Sequence, residues 1–455
     1  MNAVRRAPVN GSRPQARRTV IVGLGRTGLS SARYLHARGA RVAITDTRRN
    51  PPELGNLGSL ADDVELRLGG LDPQLLADAA QIVVSPGVAL TEPFLREAGA
   101  RGLEIVGDIE LFARAAHAPV IAVTGTNGKS TVTMLVAEMI KAAGLKMCAG
   151  GNLGEPALNL LAGPEPDFYV LELSSFQLET THSLALRAAA VLNVSADHLD
   201  RYARLADYAT AKARIFAHCE VAVVNLDDEL VRAMPRPGQQ VIGFSLDPMR
   251  RAQFGLVRDG RKASLARAGR PLLALGEMRL TGLHNAANAL AALALGEAAG
   301  LPLEPQLEVL RTFAGLPHRM QWVADIAGVR FINDSKGTNV GATLAAVGGM
   351  EGPLIVIAGG DGKNQDFAPL AAALRDKVRE VVLIGRDAPS LAAVLEPVCA
   401  IEQAASLEEA VRIAATRARP GDTVLLSPAC ASLDMFRDYT HRGAVFAAAV
   451  QELEK

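Results

Sequence analysis

Residues 121–132 read I-A-V-T-G-T-N-G-K-S-T-V, and no other stretch constrains this chain so tightly. An apolar run, Pro119–Val123, ends in a turn with two glycines, and a helix-forming stretch, Thr131–Ala143, follows. The order is strand, loop, helix, with Lys129 and Ser130 at the helix entrance. Backbone N–H groups of such a loop can converge on phosphate oxygens, and the helix N-terminus adds positive partial charge. A lysine there neutralises β/γ-phosphates, and the following hydroxyl is a ligand for Mg²⁺. The full pattern G-x-x-x-x-G-K-[ST] asks for glycine where this chain has Val123, so the loop is a shortened variant. An ordinary glycine-rich turn is the alternative. Lys-Ser-Thr in this context favours a nucleotide-phosphate site made of Gly125, Thr126, Asn127, Gly128, Lys129, Ser130 and Thr131.

With 455 residues the chain exceeds one ordinary core, and two or three domains are expected. Lys+Arg and Asp+Glu both number 48, so bulk charge supplies no attraction to nucleic acid or an anionic membrane. Cys148, Cys219, Cys399 and Cys430 show no C-x-x-C spacing, which points away from zinc and disulfides and toward a reducing cytoplasm. The Arg- and Pro-rich stretch Met1–Arg18 lacks the apolar centre of a signal peptide and reads as a disordered tail. No apolar run reaches membrane-spanning length, so a soluble protein is expected.

Strand-like and helix-like segments alternate throughout, the signature of parallel sheets covered by helices. The reading is an α/β chain of three domains. Residues 19–107 form a Rossmann-like domain with strands at Thr19–Gly23, Arg41–Thr45, Gln81–Ser85 and Leu103–Val106. Residues 108–315 form a P-loop ATPase-type domain with further strands at Phe168–Leu173, Ala189–Asn193 and Val221–Asn225. Met249–Arg270 reads as a sheet edge or excursion, and Asn285–Ala299 as a packed helix. Residues 316–455 form a second Rossmann-like unit with strands at Val329–Ile332, Leu354–Ala358, Val381–Ile384 and Thr423–Leu426.

Gly23-Leu24-Gly25-Arg26-Thr27-Gly28 fits G-x-G-x-x-G between a strand and a helix, and Asp46 ends the next strand. Alone, this predicts an NAD-dependent oxidoreductase. The shared physics is only a pyrophosphate at a helix N-terminus, which a UDP group satisfies equally well. Glu172 ends an apolar strand and could join Ser130 on Mg²⁺, or be a solvated acid. His198 is a candidate metal or substrate ligand, or a structural histidine; Lys212 alone reads as part of a solvated helix face.

Together with T-G-T-N-G-K-S-T (124–131), several ordered segments resemble the ATP-dependent Mur ligases. They are the Gly151-Asn152 turn, E-L-S-S-F-Q-L-E (172–179), D-H-L-D-R-Y (197–202), G-L-H-N-A-A-N-A-L-A-A (282–292), L-P-H-R (316–319) and N-D-S-K-G-T-N (333–339). G-L-G-R-T-G-L-S (23–30), the S-P-G turn (85–87), G-G-D-G-K-N-Q-D-F (359–367) and S-P-A-C-A-S-L-D-M-F (427–436) resemble the branch of that family that adds D-glutamate. The resemblance implies an amide ligase that activates the L-alanyl carboxylate of UDP-N-acetylmuramoyl-L-alanine with ATP, through an acyl phosphate. A sister ligase with another acceptor, or one extending folate with glutamate, is the alternative within the same architecture.

The family's site residues then fall as follows. Arg26, Thr27, Asp46, Thr47, Arg48 and Gly87 would hold UDP, with Asn152, Ser174 and His198 on the rest of that substrate. Asn285, Arg319 and Asp334 would join the loop on ATP. Lys336, Thr338, Lys363, Ser432 and Tyr439, an aromatic where relatives carry Phe, would receive D-glutamate. Lys129, Glu172, His198 and Lys212 would be catalytic. One Mg²⁺ would sit on Ser130 and Glu172, and a second near His198 and Lys212, the lysine being carbamylated by CO₂ into an anionic ligand. A cytoplasmic monomer is expected, with small-molecule substrates only.

Overall fold

The computed structural model describes residues 18–453 except 199, 200, 261, 281 and 351. The tail before Arg18, and Leu199 and Asp200 of the D-H-L-D-R-Y segment, lie outside the described residues. The chain gathers into two compact units. Residues 18–117 form the first, together with 150–165 and 176–184; the other described residues form the second.

In the first unit, β1 (Arg18–Val22), β2 (Val42–Asp46), β3 (Glu65–Leu68), β4 (Ala79–Val84) and β5 (Glu104–Val106) make a parallel sheet of order β3-β2-β1-β4-β5. Val20, Val22, Ala43, Ile82 and Val84 are fully or almost fully buried in its core. The strand order reverses at β1 and β4, and such a switch point opens a crevice at the strand C-termini. The 23–28 fingerprint follows β1 and the 85–87 turn follows β4, so both lie at that crevice. Gly28 is obligatory: a Cβ there would overlap the Gly23 carbonyl oxygen.

The second unit carries two sheets. The first has nine strands: β6 (Val120–Thr124), β7 (Met147–Gly151), β8 (Phe168–Glu172), β9 (Leu186–Val191), β10 (Cys219–Asn225), β11 (Gln240–Phe244), β12 (Phe254–Asp259), β13 (Lys262–Arg267) and β14 (Arg270–Ala274). Their order is β14-β13-β12-β11-β10-β9-β6-β8-β7. β6 pairs in parallel with both β8 and β9, so the turns after these two strands flank the phosphate loop. The 249–270 interval supplies β12 and β13 of the antiparallel edge, which β14 completes. Helices Lys129–Ala142, Leu283–Ala298 and Leu303–Thr312 pack their apolar residues into one core with this sheet.

The last sheet comprises β15 (Gln321–Ile326), β16 (Val329–Asn333), β17 (Leu354–Gly359), β18 (Val378–Ile384), β19 (Ala400–Gln403) and β20 (Thr423–Leu426), in the order β15-β16-β20-β17-β18-β19. Only β15 is antiparallel to its neighbour. Alternate residues of the buried strands feed two separate cores, one on each face. Because β16, β20 and β17 are adjacent and parallel, the N-D-S-K, S-P-A-C and G-G-D-G segments emerge side by side from one end of the sheet. Segments far apart in sequence thereby become neighbours.

Candidate active site

The phosphate loop is held by its neighbours before any ligand is considered. Gly128 has φ +85° and caps the helix Lys129–Ala142, which begins two residues earlier than the sequence pattern implied. A Cβ at Gly128 would also run into Oδ1 of Asn288. Asn193, after β9, accepts from Thr126 N at 2.9 Å through its carbonyl and from Asn127 N at 2.8 Å through its side chain. Its amide donates back to the Asn127 carbonyl at 3.1 Å. Lys129 Nζ donates to the carbonyls of Gly125 (2.9 Å) and Thr126 (2.8 Å), and burial lowers the affinity of this amine for its proton.

Ser130 Oγ donates to Glu172 Oε2 at 2.5 Å, and Arg319 Nη2 donates to Ser130 Oγ at 2.7 Å. A hydroxyl and a carboxylate side by side beside a phosphate loop are hard oxygen donors that suit Mg²⁺, which takes few carboxylates and completes its shell with phosphate oxygens and water. Among the described residues no group of three or more His, Cys, Asp or Glu forms a self-sufficient cation cage. The donor set therefore fits a nucleotide-bound ion better than a free-standing metal site.

Lys212 is 1% exposed; its Nζ donates to the Gly125 carbonyl at 2.8 Å and lies 4.3 Å from the Tyr208 ring centre. Burial, then the charge of Lys129, pushes its amine well below the ordinary lysine range. In its ammonium form it only donates and offers a cation no ligand. The sequence pattern read Lys212 as part of a solvated face; its helix instead turns it inward, against Tyr208. His198 has φ +55° and its Nε2 lies 3.7 Å from Asp197 Oδ2.

A cavity of 1080 Å³ runs from Asn127, Gly128 and Thr131 of the loop past Asn285 and Arg319 to Asp334 and Lys336. The three residues expected to hold ATP outside the loop thus share its walls, and Lys336, expected on D-glutamate, joins them. Asp334 accepts from Met320 N at 3.2 Å and from Ser427 Oγ at 2.8 Å. Burial raises its carboxyl to about 7. Lys336 Nζ sits 3.8 Å above the Tyr439 ring, and burial, then Arg319, lowers its amine to about 7.

Lys363 donates to Asp197 Oδ1 at 2.5 Å. Burial alone would raise the Asp197 carboxyl, but Lys363 and then His198 hold it below its usual range. Asn339 exchanges hydrogen bonds with Asn127 at 3.2 and 3.3 Å and donates to Asp197 Oδ2 at 3.2 Å, while its Oδ1 caps the next helix at Ala342 N. Among the described residues His198, His318, Met320, Lys363, Asn364 and Ala429 all have positive φ without being glycine. Such strained backbone concentrates at functional sites. These six lie in or next to a segment singled out from the sequence; Ala268 and Ala327, which also have positive φ, sit in the hairpin turns β13–β14 and β15–β16.

Several working residues escaped the sequence reading. Arg442 is wholly buried and donates to Ser335 Oγ (3.0 Å), Ser335 O (2.8 Å), Cys430 O (3.1 Å) and Ala431 O (3.4 Å). It ties the loop before Lys336 to the segment ending in Ser432. A charged residue in an otherwise Ala- and Val-rich terminal helix was the available signal. Asn193 and Asn339 were visible only as members of longer motifs.

In the first unit a 580 Å³ cavity is lined by Arg26, Thr27, Asp46, Thr47, Arg48, Gly87 and Asn152, all of them expected on the UDP substrate, together with Gln177. Ser174 and His198, expected on the same substrate, belong to the second unit. Arg26 Nη2 donates to the Gly154 carbonyl at 2.9 Å. Asp46 accepts from Leu24 N (2.7 Å), Arg48 N (2.8 Å) and the Arg48 guanidinium (2.7 and 2.9 Å). Burial would raise this carboxyl, yet Arg48 and the backbone donors bring it down to about 2. A carboxylate so fully engaged is poorly disposed to grip a ribose diol, whether of NAD or of a UDP group.

Family profiles fall on the chain as its three sheets do. The Mur ligase MurD-like N-terminal domain matches residues 17–107, the Mur ligase middle domain 123–296 and the Mur ligase glutamate ligase domain 318–430. The chain belongs to the Mur ligase family. Within it, the chain is 52% identical to the UDP-N-acetylmuramoylalanine--D-glutamate ligase of Nitrosococcus oceani over 97% of its own length and 98% of the relative's. It is 53% identical to the enzyme of that name from Methylobacillus flagellatus, over 96% and 98%. Among solved structures it is similar in fold to the UDP-N-acetylmuramate-alanine ligase MurC of Thermotoga maritima, at 20% identity, TM-score 0.63, and coverage of 96% of this chain and 100% of that one. The MurF ligase of the same organism, in complex with ADP, matches at 16% identity, TM-score 0.61, and coverage of 96% and 99%.

Proposed function

We propose that this chain joins D-glutamate to the L-alanyl carboxylate of UDP-N-acetylmuramoyl-L-alanine, converting ATP to ADP and phosphate. The observation that carries the reading is the continuous cavity from the phosphate loop to Asp334 and Lys336, in a chain about half identical to D-glutamate ligases along nearly its whole length. A carboxylate is a poor acyl donor, so its oxygen first attacks the γ-phosphate, releasing ADP and leaving an acyl phosphate. Lys129 and Arg319 offset repulsion between the two anions and stabilise charge on the transferring phosphoryl group. Ser130 and Glu172 would hold Mg²⁺, whose bound charge supplies further stabilisation of the phosphates. The D-glutamate amine then attacks the acyl carbon and phosphate leaves.

Lys336 and Lys363 would hold the carboxylates of D-glutamate, with Tyr439 backing Lys336 and Thr338 and Ser432 completing that subsite. The 580 Å³ cavity would take UDP; in the division at 19–107, 108–315 and 316–455 the second and third domains would share ATP, with D-glutamate on the third. Lys212 would be carbamylated: a neutral amine adds to CO₂, loses a proton and becomes the anionic oxygen ligand that, with His198, would hold a second Mg²⁺. Its depressed proton affinity supports this. Labelling with ¹³C-bicarbonate gives a carbamate resonance that Lys212→Arg lacks if the assignment holds. No helix among the described residues is long and apolar enough to cross a membrane. We place the reaction in the cytoplasm, where ATP and UDP-linked precursors are available, on a single chain.

The test is phosphate release from ATP with the UDP substrate, offering D-Glu, L-Glu and L-Lys in turn. Release that requires D-Glu, with product mass rising by one glutamyl residue and lost in Lys129→Ala, is the expected result. Near-normal turnover by Lys129→Ala would remove the phosphate-loop assignment, and release with another acceptor would move the chain to a sister specificity.

A further inference from the structure

The 1080 Å³ cavity has both polar and apolar walls. Besides the loop and Asn285, its lining includes Leu280, Met320, Trp322, Ile332 and Met350. Trp322 is the single tryptophan of the chain and stands 59% exposed on the edge strand β15. A large aromatic face left to water at the wall of a binding cavity is unusual in a way that a scattered surface leucine is not. Local geometry puts it there. Trp322 pairs with Ile332, and the ladder slips between Trp322 and Ala324. A bulge of this kind re-aims a side chain, and the left-handed turns at His318 and Met320 deliver the strand to the cavity rim.

The occupant follows from continuity of the cavity. A nucleotide whose phosphates lie on residues 125–131 must extend its flat, apolar end away from the loop into this cavity, where Leu280, Met320, Trp322, Ile332 and Met350 are apolar walls it can meet. We propose that the indole of Trp322 stacks on the purine ring of ATP and is a specificity contact of this chain for the nucleotide. The inference rests on the ATP reading above.

Fluorescence titration of the full chain tests it, since the signal has one source. ATP and ADP should shift or quench the emission, whereas inorganic triphosphate, which has no base, should leave it unchanged. Loss of base–aromatic stacking in Trp322→Ala should raise KM for ATP roughly five- to 150-fold, with Trp322→Phe recovering much of it and KM for D-Glu unaltered. ATP binding to the wild type, measured by equilibrium dialysis, with silent fluorescence and a Trp322→Ala KM within twofold would overturn this inference and leave the ATP site intact. Absence of ATP binding by the wild type would overturn both.

Discussion

Replacing Arg442 by methionine keeps an unbranched side chain, two atoms shorter, and removes every hydrogen bond the guanidinium makes. Ser335 Oγ retains its bond to the Tyr439 carbonyl, and the Ala431 carbonyl still accepts from Asp361 N. The carbonyls of Ser335 and Cys430 lose their guanidinium donors. A buried acceptor deprived of its partner costs about 1–3 kcal/mol, so the two together cost roughly 2–6 kcal/mol. Relief opposes this, because burying a guanidinium is itself unfavourable: Arg442 is lowered to about 10 chiefly by desolvation. Removing a buried charge returns part of the loss. A net destabilisation of about 2 kcal/mol remains, which for a domain of this size lowers Tm by roughly 5 °C. The functional effect should exceed the thermal one, since the released segments carry Lys336 and Ser432. Calorimetry combined with steady-state kinetics reads both: Tm falls, and KM for D-Glu rises at least about tenfold while KM for ATP changes less. Arg442→Lys, which keeps the charge without the planar fork, should fall between. A Tm within 1 °C of wild type, with KM for D-Glu within twofold, would refute the account of Arg442 as the tie between the two loops.

Three further outcomes are expected. With the Lys336 amine near 7, its positive charge is lost as pH rises, so KM for D-Glu should climb from pH 7 to 9 by up to about tenfold per unit, and Lys336→Arg should flatten that climb. The same lowered value means the unfolded chain holds this proton more tightly between pH 7 and 10.5, so this group's effect on stability improves as pH rises through that window and is a constant penalty below it, visible as a smaller slope of stability against pH in Lys336→Met. Glu172→Gln should raise the Mg²⁺ needed for half-maximal phosphate release at least about tenfold, while Tm in the absence of nucleotide changes little. Asn339→Ala should cost about 1 kcal/mol in denaturant melts from the lost helix cap, and should lower kcat because Asn127 and Asp197 both lose a partner.

Motif spacing and hydrophobic alternation were enough to locate the phosphate loop, the α/β class and most central strands, whereas most residues expected in the two cavities came from the resemblance to the Mur ligases. Each depends on chemistry confined to a few consecutive residues: glycine where φ is positive, apolar runs where strands are buried on both faces, lysine and serine at a helix entrance. Short half-exposed strands such as Glu65–Leu68 and Ala400–Gln403 went unread because four residues carry too little pattern. What only the tertiary structure decided is which distant groups meet. Strand order brings Glu172 and Asn193 to opposite sides of the phosphate loop and sets the 333, 359 and 427 segments side by side. Packing decides protonation as well: Lys212, a surface residue by pattern, is buried against Tyr208, and Asp46, a ribose acid by pattern, is held by Arg48. Sequence specifies donors and acceptors locally, but desolvation and partner charges come from residues far away in the chain, and those set whether a lysine is a cation or a nucleophile.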